Sequence, residues 1–313
     1  MRASWTAVAM AAAAIGLISA MALAPAAGCD TGPLVFDLGM TGGMPDPGPA
    51  DLAIVDLAGT IAPPPDAALP GRTLVWQDEF EGAAGQRPDP SHWSFDVGGD
   101  GWGNQQLEFT TARPENVSLD GNGHLAITAR AEAYQGKSYT SGRINSLGHF
   151  TRAFGRFEAR MQLPAGQGMW PAFWLLGNNQ PAVGWPACGE IDIIENRGQE
   201  PNIVHGTVHG PGYSGGKGIS AARTVAGAPL SAGFHVYAIE WFANLVVFSV
   251  DGNTYFTLTP QQLPAGTQWV FDHPFGVILD LAVGGNFVGS PDGTTTFPQT
   301  LLVDYVRIYE PQP

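Results

Sequence analysis

Cysteine is nearly absent: the 313 residues hold two, Cys29 and Cys188. No disulfide framework can be built from them, and nothing around them supports thiol chemistry. Cys188 reads instead as a small apolar filler beside a strand. Positive charge is scarce too, with 14 Lys and Arg against 28 Asp and Glu. The resulting net charge of −14 argues against nucleic acid or an anionic membrane surface as partner, because both would be repelled. Long helices are missing as well. With 42 Gly and 26 Pro, no stretch sustains a capped amphipathic helix beyond about two turns, which excludes extended coiled coils. No repeat of fixed period is visible, so propellers and solenoids are disfavoured.

What is present divides the chain in three. Arg2, an apolar run from Trp5 to Ala24 and the small residues before Cys29 form a secretory signal over residues 1–29. The small residues ending at Gly28-Cys29 resemble a bacterial lipoprotein signal, with the cysteine lipidated, although Ala26 stands where an aliphatic residue is usual. Plain secretion and an uncleaved anchor are the other two routes, the run being long enough to span a bilayer. All three place the remainder outside the cytosol. Residues 30–70 carry six Asp, no basic residue and repeated Gly and Pro, the composition of a solvated, disordered linker.

From 71 to 313 the chain reads as short strands. Leu125-Ala-Ile-Thr-Ala, Phe234-His-Val-Tyr-Ala-Ile-Glu-Trp, Leu245-Val-Val-Phe-Ser-Val and Val303-Asp-Tyr-Val-Arg-Ile-Tyr are β-branched and aromatic, several alternate with period two, and each is bounded by turn residues. Closely spaced strands without helices favour one all-β sandwich or barrel over two domains.

The chemistry is concentrated in Gly189-Glu-Ile-Asp-Ile-Ile-Glu-Asn196. The isoleucines mark a strand with one apolar face. Glu190 and Asp192 are two apart and share a face, whereas Glu195, at an odd offset, should point to the apolar side. One extra residue in a β-bulge restores it to the carboxylate face. Three carboxylates on one face of a buried strand repel one another and are costly to desolvate, so stability does not explain them. A glycosidase uses two carboxyls flanking the scissile bond, one ionised and one protonated, and an intervening Asp can share a proton with its neighbour. A calcium site or an exposed strand edge would give the same bare pattern. Nearby aromatics tilt the balance toward carbohydrate: Trp170, Trp174 and Trp185 lie within twenty residues of Glu190, and flat rings stack on sugars. Trp174, inside a continuous apolar run, reads as core; Trp185, beside Pro186 in a loop, reads as a stacking face.

Several ordered motifs then add up to a resemblance. Leu74-Val-Trp-Gln-Asp-Glu-Phe80, Trp102-Gly-Asn-Gln-Gln-Leu-Glu-Phe-Thr110, Ser141-Gly-Arg-Ile144, Gly189–Glu195, His205-Gly-Thr-Val-His-Gly-Pro-Gly-Tyr213 and Val303–Tyr309 span the whole domain. They resemble family 16 glycoside hydrolases, specifically the bacterial laminarinase (endo-β-1,3-glucanase) branch, which carries the bulged form of the signature. The resemblance implies a jelly-roll β-sandwich of two antiparallel sheets with a concave substrate cleft, and a retaining, endo-acting hydrolase of β-glucan. It implies Glu190 as nucleophile, Glu195 as general acid/base and Asp192 as assistant to the nucleophile, with His209 nearby. Asn104 and Arg143 would bind sugar hydroxyls on the non-reducing side, with Trp170 and Trp185 as stacking walls. Glu79, Gly123 and Asp304 would correspond to a structural calcium site, carboxylate and backbone oxygens suiting that hard cation. No cofactor is implied for catalysis, and a monomer is expected.

Two departures stand out. Where such proteins commonly have Asn followed by Leu-Ala-Val-Gly-Gly-Asn-Trp, this chain has Asp280 and Phe287, expected to alter a distal subsite and leave the catalytic group untouched. Rival chemistries are weaker. His205 and His209 would form a metal pair on a helix, but Gly206, Val208, Gly210 and Pro211 disfavour one. A mixed-linkage β-1,3-1,4-glucanase is the alternative within enzymes. A non-catalytic glucan-binding protein is the alternative outside them, disfavoured because both glutamates are present.

Overall fold

The computed structural model describes residue 69 and residues 71–311. The signal, Cys29 and nearly all of the linker lie outside the described residues. Among those described, strands follow one another almost without interruption: β1 (Leu74–Asp78), β2 (Ser94–Phe95), β3 (Glu108–Thr110), β4 (Val117–Leu119), β5 (Leu125–Tyr134), β6 (Lys137–Ser141), β7 (Arg143–Asn145), β8 (Gly155–Gln162) and β9 (Met169–Gly177). After a single helical turn at Gln180–Val183 come β10 (Glu190–Glu195), β11 (Ile203–His209), β12 (Ile219–Thr224), β13 (His235–Phe242), β14 (Leu245–Val250), β15 (Asn253–Leu258), β16 (Phe275–Val283) and β17 (Gln299–Tyr309). No described helix is long and apolar enough to cross a membrane.

The strands make two sheets. The larger runs β15-β14-β13-β8-β17-β5-β6-β3, with β1 also paired to β17 and β4 to β5; the smaller runs β12-β11-β10-β9-β16-β7-β2. The expectation of antiparallel sheets holds except at one edge, where β3 pairs with β6 in parallel. The chain between them passes through β4 and β5, long enough for the crossover that parallel pairing requires.

Alternation explains the layering. In β8 Phe157, Ala159 and Met161 face inward, and in β10 Ile191, Ile193 and Ile194 do. Their rings and branches join Trp241, Phe248 and Phe275 in one hydrophobic cluster between the sheets, where Trp241 of β13 meets Phe275 of β16 edge to face at 5.2 Å. At about 25 cal/mol per Å² of apolar surface buried, such a layer supplies most of the drive to fold. The smaller sheet's other face is left for polar residues, and the site is built there. Cys188 is fully buried, as the filler reading expects, and burial pushes its thiol up to about 11, far from reactive thiolate.

Candidate active site

Strand β10 lies between β9 and β11, and its pairing contains the bulge. Against β9, Glu190 faces Leu176 and Asp192 faces Trp174, but Ile194 faces Phe173 and Glu195 faces Ala172. Against β11, Glu190 faces His209 and Asp192 faces Thr207, after which the register slips and Glu195 faces His205. One residue has been inserted. The isoleucines on either side of the slip, Ile193 and Ile194, both reach the core, and Glu195 returns to the carboxylate face. Glu190, Asp192 and Glu195 are therefore brought together as expected.

Each glutamate is held by its own tryptophan. Trp185 Nε1 donates to Glu190 Oε2 at 2.9 Å, and Trp170 Nε1 donates to Glu195 Oε1 at 2.9 Å. Thr207 Oγ1 donates to the other oxygen of Glu195 at 3.3 Å. His209 Nε2 stands 3.2 Å from Asp192 Oδ2 and 3.7 Å from Glu190 Oε1. Burial and mutual repulsion work against ionising all three acids. Burial first, then the Asp192 charge, pushes Glu190 up to about 8. Asp192 is lifted well above the usual range by burial and by Glu195, while a hydrogen bond with Glu190 favours its anion. Burial also raises Glu195, opposed by His209 and by the Trp170 and Thr207 donors. The protons belong to the group as a whole: near neutrality it holds fewer than three negative charges, the condition a paired acid and nucleophile require.

The aromatic and polar residues are arranged differently from the sequence reading in several respects. Trp170, only 8% exposed, is a hydrogen-bond donor packed against Phe287 at 5.2 Å rather than an open wall. Trp185 is 47% exposed and can offer a ring face. Trp174 is not core: it stands on the site face, its Nε1 donating to Asp280 Oδ1 at 2.7 Å. Apolar runs in a sheet cover both faces, and composition does not say which face a given ring takes. Arg143 is clamped with its guanidinium over Trp102 at 4.5 Å and over Trp174 at 4.8 Å, and its Nε donates to Asp96 at 3.0 Å. Asn104 is exposed, and its carbonyl accepts from the Asn286 amide at 2.8 Å, which ties the 101–107 loop to the 284–289 loop.

Asp280 and Phe287 are not distal. Asp280 pairs with Ala172 of β9, itself opposite Glu195, and its charge contributes to the raised values of Asp192 and Glu195. Burial raises Asp280 as well, against the pull of Arg143 and Trp174. Phe287 lies between Trp170, the His205 ring at 5.4 Å and the Arg197 guanidinium at 4.2 Å. Both departures thus bear on the catalytic group: strand pairing brings Asp280 of β16 within two strands of β10, and Phe287 packs on the Trp170 that donates to Glu195. Thr207 was also missed, though its place two residues before His209 on an alternating strand was the available signal. So was Glu108, fully buried with Oε2 on the Val283 amide at 2.8 Å and pushed up to about 7 by burial.

Two other readings can be placed. His205 and His209 share a strand but diverge: His205 Nε2 meets Glu200 Oε2 at 2.8 Å, while His209 meets Asp192. In the group suggested for calcium, Arg307 grips both carboxylate oxygens of Glu79, at 2.8 and 2.7 Å. Arg160 holds Asp304 Oδ2 at 2.5 Å. The Glu79 side chain, engaged by Arg307, does not fit a cation site as it stands.

A two-layer β-sandwich with paired, proton-sharing carboxylates and aromatic N–H donors along one face defines a class of carbohydrate-cleaving proteins. The comparisons agree. The model for glycosyl hydrolases family 16 matches residues 103–306, and the chain belongs to that family. It is 43% identical over 244 residues to a beta-glucanase of Rhodothermus marinus, covering 75% of this chain and 84% of that protein. Among solved structures, the laminarinase catalytic domain of Thermotoga maritima is 44% identical with a TM-score of 0.73, covering 77% of this chain and 99% of that one. An endo-1,3-1,4-beta-glycanase of Rhizobium meliloti is 30% identical over 259 residues, covering 76% of this chain and 51% of that protein. The fold is the jelly roll of these laminarinases, as the sequence motifs implied.

Proposed function

We propose that this chain is an endo-acting, retaining hydrolase of laminarin-type β-1,3-glucan working by double displacement. The observation that carries the reading is the bulge in β10, which puts Glu190 and Glu195 on one face, each fixed by a separate indole N–H. Glu190 attacks the anomeric carbon; Trp185, and His209 when protonated, stabilise its anion, while Asp192 takes the proton the pair shares. Glu195, whose protonated form burial favours, protonates the departing oxygen. It then takes a proton from the water that releases the glycosyl intermediate. Asp280 helps to hold that proton on Glu195 through its charge. Arg143, fixed between two indoles, and Asn104 would bind hydroxyls on the glycone side, with the open face of Trp185 stacking on a ring.

Similarity to a laminarinase supports consecutive β-1,3 bonds as the substrate, and similarity to a 1,3-1,4-glycanase keeps mixed-linkage glucan as the second reading. Internal cleavage of laminarin into short oligosaccharides, weaker action on lichenan and none on cellulose are expected. Relative kcat/KM on laminarin and lichenan decides, and a clear preference for lichenan overturns the linkage. We further propose a monomer held outside the cytosol, lipid-anchored through Cys29 or secreted, with any structural calcium resting on Asp304 and backbone oxygens.

A further inference from the structure

The imidazole of His209 lacks the usual means of orientation. A histidine that works beside acids normally has its far nitrogen fixed by a carbonyl or carboxylate, which sets the tautomer and the ring angle. Here Nδ1 is buried with no hydrogen-bond partner. Something other than a hydrogen bond must hold Nε2 between Asp192 and Glu190.

The strand register points to the holder. Ile219 pairs with Val208 and Ser220 with Thr207, so the next pair outward sets Gly218 opposite His209. Since His209 also faces Glu190, the three form a row across β10, β11 and the start of β12. A methyl carbon on Gly218 would overlap His209 Cε1, stand 2.7 Å from Nδ1 and 2.8 Å from Thr207 Cγ2. The ring therefore leans into the volume that glycine leaves, as aromatic side chains cover glycines on neighbouring strands. On its other side it meets Trp185, ring centroids 6.1 Å apart. The backbone does not demand glycine here: at φ −52° and ψ 147° any L-residue is at ease.

We propose that Gly218 is a positioning residue, its missing side chain forming the seat that fixes the His209 imidazole against Asp192 and Glu190. The same space accommodates Thr207, which donates to Glu195, so one glycine backs the contacts to both glutamates. This rests on the roles proposed above for those glutamates.

The test compares Gly218→Ala with Gly216→Ala, a neighbour in the same turn around which an added methyl meets nothing within 4 Å. Gly218→Ala should lower kcat on laminarin about tenfold or more with KM changed less than about twofold, and Gly216→Ala should be silent. In a His209→Ala background, adding Gly218→Ala should cost several-fold less than it does in the wild type, because the clash with the ring is gone and only the Thr207 methyl contact remains. The crystal structure of Gly218→Ala should show the His209 ring displaced, a readout that does not depend on activity. Wild-type kcat with an unmoved ring overturns the proposal. So does an equal loss in the His209→Ala background, or a double variant that fails to fold. An inactive wild type with a displaced ring in Gly218→Ala would instead sink the functional reading and leave the seat standing.

Discussion

The two sheets each turn one charged face away from the shared core, and the two faces are built on opposite electrostatic principles. On the larger sheet the carboxylates of β8, β13 and β17 are matched by arginines. Arg156 donates to Glu158 at 2.7 Å and to Glu240 at 3.0 Å, Arg72 reaches Glu240 at 3.0 Å, Arg307 forks onto Glu79, and Arg160 holds Asp304. On the smaller sheet Glu190, Asp192 and Glu195 stand side by side, and among the described residues none of them has a guanidinium partner. Paired charges in a partly buried setting keep a protein together, since removing one partner strands the other. Unpaired, desolvated carboxylates weaken it and acquire protons they would otherwise lose. The same strand alternation thus serves stability on one face and proton chemistry on the other.

That contrast can be broken from either side. The largest effect is expected at Glu190→Ala, which should cut laminarin turnover about 10⁴-fold or more while glucan binding survives. Azide should rescue Glu190→Gly by occupying the vacated space and yield an α-glycosyl product read by NMR; an inverted product from the wild type would remove the nucleophile role. Glu195→Ala should lose about 10²- to 10⁴-fold on laminarin but retain activity on aryl glycosides with good leaving groups. Equal loss on both substrates would mean another residue is the acid.

On the paired face the effect should be on stability alone. Glu158→Gln should cost about 3 kcal/mol, the low end for breaking a buried pair because Glu240 still holds Arg156. A thermal melt would register the loss, while kcat per folded molecule stays unchanged. The active site should respond in the opposite sense. Its Glu190 carboxyl ionises at about 8 in the fold against 4.5 ordinarily. The folded state therefore binds the proton more tightly, and wild-type stability declines as pH rises from 4.5 to 8. Glu190→Gln, which cannot ionise, should accordingly gain up to about 4 kcal/mol at pH 8 relative to wild type and almost nothing at pH 4. Melting curves at the two pH values check it, and a gain of equal size at both would refute the electrostatic origin. The smallest effect is expected for calcium. Bound to Asp304 and backbone oxygens, it should raise stability about 1 kcal/mol, a few degrees in Tm, and a melt unchanged by calcium or a chelator removes the site.

Local pattern was sufficient for the strands, the extracore face of β10, the bulge and the identity of the three acids. The strands and the shared face of Glu190 and Asp192 follow from the two-residue alternation of an extended chain, a rule that operates within a few residues. Alternation alone turns Glu195 to the apolar side, and its bulge and the roles of the acids were legible through the motif's resemblance to the family. Tertiary pairing decided the rest. Asp280 and Trp174 are 106 residues apart and share a hydrogen bond; Trp170 and Glu195 are 25 apart; Glu79 spends its carboxylate on Arg307, 228 residues away. Which face Trp174 takes, whether Asp280 is remote or adjacent to the acid, and why position 218 has no side chain depend on strand order and register. Those are set when the apolar faces of two sheets pack into one core, and no short window of sequence contains that packing.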